Sequence, residues 1–328
     1  MIASHLNPNL FHDDVEQVAN RVGFGEGLKE AGSIHKEIVA LCADLTESTR
    51  VIDFKNAFPD RFIQMGIGEQ SMASVASGMA AMGKIPFIAS YAMFSPGRNW
   101  EQIRTTIAYN DSNVKIIGAH SGISVGPDGA THQAIEDVAI MRVIPRMTVI
   151  APCDVHEAKK VTLAAAALKG PVYIRLAREK TPVITTVGTP FEIGKAAVYM
   201  ERDAAHQSKI GIISSGTLLH QALVAGKELN AAGIGASVMN LATIKPLDTE
   251  AILAFAKDHD ALITVEEHQV TGGMGGAVAE YLSSVHPTKI IRIGVQDRFG
   301  QSGEQNELIA YYGMNAKAIA SAAKKLFS

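Results

Sequence analysis

This chain of 328 residues has only two cysteines, a single tryptophan and no excess of basic residues. Cys42 and Cys153 stand far apart beside apolar runs and form no pair at metal-ligand spacing, which excludes a disulfide framework and points to buried free thiols in a reducing compartment. The formal net charge is −3 and the pI about 6.4, so neither nucleic acid nor an anionic membrane surface is expected as a main partner. Any phosphate must then be met by a few placed groups. No apolar run approaches the length of a membrane span. The start, Met1-Ile2-Ala3-Ser4-His5-Leu6-Asn7-Pro8, has no basic stretch followed by an apolar core, so no signal peptide is read and a cytoplasmic protein is expected. Repeats of solenoid period and low-complexity tracts are also missing.

What is present is apolar and ordered. Hydrophobic residues make up 47% and charged ones 19%, which suits an α/β protein with large buried surfaces, a subunit interface among them. The length allows two cores. Short apolar runs at 36–43, 85–90, 114–119, 147–151 and 171–176 alternate with helical patterns at 69–82, 98–109, 133–141 and 155–168. The alternation resumes with strands at 209–214, 234–240, 261–266 and 289–293 and helices at 217–232, 248–257, 274–284 and 304–325, the last broken near Gly313. This pattern predicts α/β architecture in two doubly wound domains. The Pro- and Thr-rich seam Thr181 to Pro190 separates them, giving residues 1–187 and a smaller unit at 188–328. Residues up to about 34 read as a helical lead-in with turns at Gly23, Gly25 and Gly27.

One carboxylate stands out. In Met65-Gly66-Ile67-Gly68-Glu69-Gln70, Glu69 follows two glycines and heads a small-residue helix. By spacing alone it complements the positive end of the helix dipole. Its company points elsewhere: the aromatic pair Tyr91 and Phe94, and the irregular loop Gly126-Pro127-Asp128-Gly129-Ala130-Thr131-His132. On the helix, Ala73, Ser77 and Ala80 recur at helical spacing beside Gly78, a smooth face for a second subunit or for the domain's own sheet. The run Thr271-Gly272-Gly273-Met274-Gly275-Gly276 lacks G-x-G-x-x-G spacing and a Walker lysine, so it reads as a tight strand-to-helix turn rather than a nucleotide loop.

Taken together, these residues resemble the C-terminal half of a transketolase over roughly residues 15 to 328. The resemblance implies a thiamine-diphosphate pyrimidine-binding domain followed by a transketolase C-terminal domain. Glu69 matches the glutamate of the family's G-x-x-E motif, which meets the pyrimidine ring nitrogen and favours the imino tautomer. The apolar sequence around it, Met65 to Met72, suggests a dry setting. Tyr91 and Phe94 match the pair that stacks on the pyrimidine, with Tyr91 replacing the usual phenylalanine and Ser95-Pro96-Gly97 replacing a further aromatic contact. Asp128 would bind a hydroxyl of the donor sugar and His132 would polarise its carbonyl or move a proton. His120 matches a second substrate-facing histidine, although Ser121 follows it where aspartate is usual. Arg21, Ser48 and Arg178 match the phosphate site. Asp44, in Ala43-Asp44-Leu45-Thr46, matches a carboxylate near the cofactor and dimer contact. Val265-Glu266-Glu267-His268 and Asp297-Arg298-Phe299-Gly300 resemble stretches of the C-terminal domain.

The family's Gly-Asp-Gly motif, which holds Mg2+ or Ca2+ and through it the cofactor's diphosphate, is nowhere in the sequence. The resemblance therefore implies a separate C-terminal subunit of a split enzyme. Its N-terminal partner would hold diphosphate and metal, with two copies of each chain joined through the pyrimidine domains. Ketol transfer between sugar phosphates is the expected activity. A deoxyxylulose-phosphate synthase-like enzyme, an oxo-acid dehydrogenase β-like chain and a catalytically silent assembly partner stand behind it.

Overall fold

The computed structural model describes residues 1–326. Seven strands form one sheet, in the order Thr243–Lys245, Thr148–Ile150, Val172–Arg175, Lys115–Ala119, Ile85–Tyr91, Ile38–Cys42 and Phe62–Gln64. All neighbours run parallel except the first pair. Ile38–Cys42 and Lys115–Ala119 are buried along their whole length, as parallel strands covered on both faces must be. The second sheet has five strands, in the order Ile290–Val295, Ala261–Gln269, Lys209–Ser214, Gly235–Asn240 and Ala197–Met200, and only the last runs antiparallel. Cys42 and Cys153 are buried and free. Among the described residues, no helix is long and apolar enough to cross a membrane.

Two details differ from the sequence expectation. Residues 1–16 form no helix, and the first one is Asn20–Ile34. Gly23 and Gly27 lie inside it and make no turns: a Cβ on Gly23 would fall on the Val155 carbonyl, and one on Gly27 would sit 2.9 Å from the Lys159 carbonyl oxygen. They let this helix press against Val155–Ala167, a close approach that only glycine permits. The short strand Thr243–Lys245 leaves the second half of the chain and pairs with Thr148–Ile150, so the first sheet borrows its edge from beyond the seam.

Helix Glu69–Ala81 decides between the two readings of its smooth face. Ala73 is buried, and the Ser77 hydroxyl donates to the Thr106 carbonyl at 2.6 Å, so the stripe Ala73, Ser77 and Ala80 faces its own domain. The exposed face carries Ser74, Val75 and Gly78, with open space around Gly78.

Candidate active site

The candidate side chains gather at one end of the seven-stranded sheet. Asp44 follows Ile38–Cys42, Glu69 follows Phe62–Gln64, Tyr91 ends Ile85–Tyr91, His120 follows Lys115–Ala119 and Arg178 follows Val172–Arg175. Chain order reverses between Ile38–Cys42 and Ile85–Tyr91, the position at which open α/β sheets leave a crevice for ligands.

Glu69 is 1% exposed. Its sequence neighbours are not what encloses it, since Gly66 and Ile67 are exposed. The enclosing groups come from the segment after the next strand. Arg98 donates to Glu69 Oε2 at 2.7 Å, and Asn99 donates to the Glu69 backbone oxygen at 3.1 Å. Ser90 reaches Oε1 only at 3.5 Å, which leaves that oxygen open to a better donor. The expected dry apolar setting is therefore an ion pair instead. Sequence reading saw Ser95-Pro96-Gly97 as a lost aromatic; the turn delivers Arg98 and Asn99.

Around this carboxylate stands a cluster of rings. Tyr91 stacks on His120 with centroids 3.9 Å apart, and Phe94 lies 6.1 Å from Tyr91 at 21°. His132 turns its edge to both, at 5.4 Å from Phe94 and 6.2 Å from Tyr91. His120 is buried and its Nδ1 has no hydrogen-bond partner. Burial, aided by the nearby charges of Arg21 and Arg178 and by His132, lowers its pKa to about 3. The ring is neutral at physiological pH and keeps a polar atom in reserve.

The phosphate candidates form one contiguous group. Arg21 donates from Nε to the Arg178 carbonyl at 3.0 Å and from Nη1 to the Ser48 carbonyl at 2.7 Å. Arg178 donates to the Val125 carbonyl at 2.6 Å and to Asp128 Oδ1 at 3.2 Å. Asp128 and Arg178 thus meet as an ion pair. Asp44 is exposed, in the left-handed region at φ 59°, and its carboxylate has no partner among the described residues.

The loop bearing Asp128 and His132 turns on positive-φ Gly126 and Gly129 and is held by the second half of the chain. The Ser124 backbone N–H donates to the Glu267 carboxylate, and Gln133 Nε2 donates to the Gln301 carbonyl at 2.9 Å. Glu267, which the sequence places only within a stretch resembling the family's C-terminal domain, is a clamp on this loop. The glycine-rich turn is occupied from within, because Glu266 accepts hydrogen bonds from the backbone N–H groups of Met274 at 2.6 Å and Gly275 at 2.8 Å. A phosphate would find those donors taken.

These groups fit one end of thiamine diphosphate. A flat pyrimidine has ring faces from Tyr91 and Phe94 and an open carboxylate oxygen on Glu69. The diphosphate end has no counterpart: among the described residues no cluster of three or more His, Cys, Asp or Glu could hold a metal ion.

Comparison with known proteins identifies the family. The family model of the transketolase pyrimidine binding domain matches residues 16–183, and that of the transketolase C-terminal domain matches 199–319. A protein of Methanocaldococcus jannaschii named as a transketolase C-terminal section is 45% identical over 92% of this chain and 93% of its own length. A 6-deoxy-6-sulfo-D-fructose transketolase subunit of a Clostridium species is 40% identical over 88% of both chains. Among solved structures, a split-gene transketolase described as an inactive β4 tetramer superposes with a TM-score of 0.86 at 42% identity, covering 94% of this chain and 98% of the other. The chain belongs to the transketolase family and corresponds to its pyrimidine-binding and C-terminal domains.

Proposed function

We propose that this chain is the C-terminal subunit of a split, thiamine-diphosphate-dependent transketolase that moves a two-carbon ketol unit from a ketose phosphate to an aldose phosphate. The supporting observation is that Glu69, the Tyr91–Phe94–His120–His132 ring cluster and the Arg21–Arg178–Asp128 group gather at one end of the seven-stranded sheet in a chain whose described residues include no metal-ligand cluster. When bound, the cofactor supplies carbanion chemistry. Glu69 would accept a hydrogen bond from the pyrimidine nitrogen in its protonated form, and Tyr91 and Phe94 would present ring faces. Asp128 accepts a hydrogen bond from a sugar hydroxyl. His132, with its edge toward the rings, polarises the substrate carbonyl and carries a proton, while neutral His120 adds a lone pair or a single N–H donor. Arg21 and Arg178, beside Ser48, take the substrate's anionic end. The sulfonated sugar in one relative's name fits a site that selects an anionic terminus.

An N-terminal subunit holds the diphosphate and its Mg2+ or Ca2+ in this reading, so the cofactor bridges two chains. Two copies of each associate in the cytoplasm, with pyrimidine domains paired through the Ser74, Val75 and Gly78 face. Residues 1–187 and 188–328 are the two domains, and Asp44 lies near the cofactor and dimer contact. The test mixes the purified chain with an N-terminal subunit carrying Gly-Asp-Gly, thiamine diphosphate and Mg2+, then follows ketol transfer. Transfer without CO2 release, in the mixture alone, is expected. Transfer by the isolated chain, CO2 release, or silence of the mixture would each overturn the proposal.

A further inference from the structure

We infer that Arg98 is a positioning residue for Glu69: it holds one carboxylate oxygen so that the other is presented to the pyrimidine ring nitrogen. The inference rests on the thiamine-diphosphate reading above. Arg98 Nη1 lies 2.7 Å from Glu69 Oε2, and the two side chains are 47% and 1% exposed. A glutamate's terminal torsion is broad and two-fold, so burial alone does not fix the plane of its carboxylate. A charge-assisted hydrogen bond to one oxygen does. The other oxygen, Oε1, then has only the 3.5 Å approach of Ser90 and is free to accept a hydrogen bond from the ring nitrogen in its protonated form.

The same segment restrains everything around that oxygen. Asn99 Nδ2 donates to the Glu69 backbone oxygen at 3.1 Å and to Ser95 Oγ at 3.2 Å, so the backbone bearing the carboxylate is tied as well. The Arg98 guanidinium sits over the Phe94 ring, 4.8 Å from its centroid. Residues 94–99 therefore deliver a ring face, a clamp on the carboxylate and a clamp on its backbone from one turn. Because Arg98 is half exposed, its replacement opens no cavity; it does leave the buried Glu69 carboxylate without its ion-pair partner, so the chain is also expected to lose stability.

Calorimetry on the assembled enzyme, this chain with its N-terminal subunit and Mg2+, tests the role directly. The two ligands are thiamine diphosphate and the analogue in which carbon replaces the pyrimidine nitrogen N1′. A hydrogen bond to an aimed carboxylate gives the wild type about a 10- to 100-fold preference for the true cofactor. Arg98→Met, compared at a temperature where circular dichroism shows it folded, is expected to cut that preference to about threefold or less, and Arg98→Lys to restore part of it. Glu69→Ala should also lose it. Arg98→Met that keeps the full preference, or that weakens both ligands equally, overturns the inference. Wild-type protein that binds both ligands alike removes the role of Glu69 itself and the inference with it, so the two failures are distinguishable.

Discussion

Replacing Arg178 by alanine separates substrate recognition from everything else the site does. Arg178 is anchored by the Val125 carbonyl at 2.6 Å and by Asp128 at 3.2 Å, so its guanidinium is already oriented before a phosphate arrives. Loss of a charge-assisted contact costs about 1.5–3 kcal/mol, and with a decade for each 1.36 kcal/mol the KM for a phosphorylated sugar should rise about 10- to 160-fold. A second, smaller loss follows from the geometry. Asp128 forfeits its ion-pair partner, and both side chains are near 30% exposed, at 30% and 29%. Such pairs contribute at most about 1 kcal/mol, so an unphosphorylated donor sugar should lose about fivefold or less, through the misdirected Asp128. Steady-state kinetics on matched phosphorylated and unphosphorylated donors reads both effects. Equal loss on the two classes would refute the phosphate role and indicate a collapsed loop instead.

Three further outcomes follow from the same structure. Glu69→Gln should lower turnover of the assembled enzyme by about 10²–10⁴ with folding retained, and near-normal turnover at saturating cofactor would reduce Glu69 to a helix-end charge. Gly23→Ala should destabilise the chain by about 1–3 kcal/mol in urea unfolding, because the added Cβ meets the Val155 carbonyl; an unchanged midpoint would show that the two helices can separate at no cost. His120 is held at about 3 in the fold against 6.5 when free, so protons bind the unfolded chain more tightly between those values and stability falls as pH drops below 6.5. At pH 5 this amounts to about 2 kcal/mol, and His120→Gln should show a correspondingly smaller loss between pH 7 and 5.

The strand–helix alternation was legible because buried parallel strands write themselves as uninterrupted apolar runs, as at Ile38–Cys42 and Lys115–Ala119. Phe62–Gln64 and Thr243–Lys245 were not, since three residues carry no usable periodicity and the second pairs with a strand almost a hundred positions earlier. Gly23 and Gly27 misled for a related reason: a glycine's freedom to turn is local, whereas its use for close helix contact depends on a neighbour far along the chain. At the site, the residue types at Glu69, Tyr91, Phe94, His120, Asp128 and His132 were readable by resemblance. The groups that hold them were not. Arg98, Asn99 and Glu267 act across 29, 30 and 143 positions, and nothing in their immediate sequence separates them from ordinary surface or core residues.

The claim at the centre is that this chain holds one end of a cofactor whose other end belongs to a different subunit. Calorimetry of thiamine diphosphate and Mg2+ against the purified chain, and then against the chain mixed with a subunit bearing Gly-Asp-Gly, addresses it most directly. Rings and a carboxylate with no cation for a diphosphate should bind weakly, and the mixture should bind tightly and only with the metal. Tight, metal-dependent binding by this chain alone would contradict it.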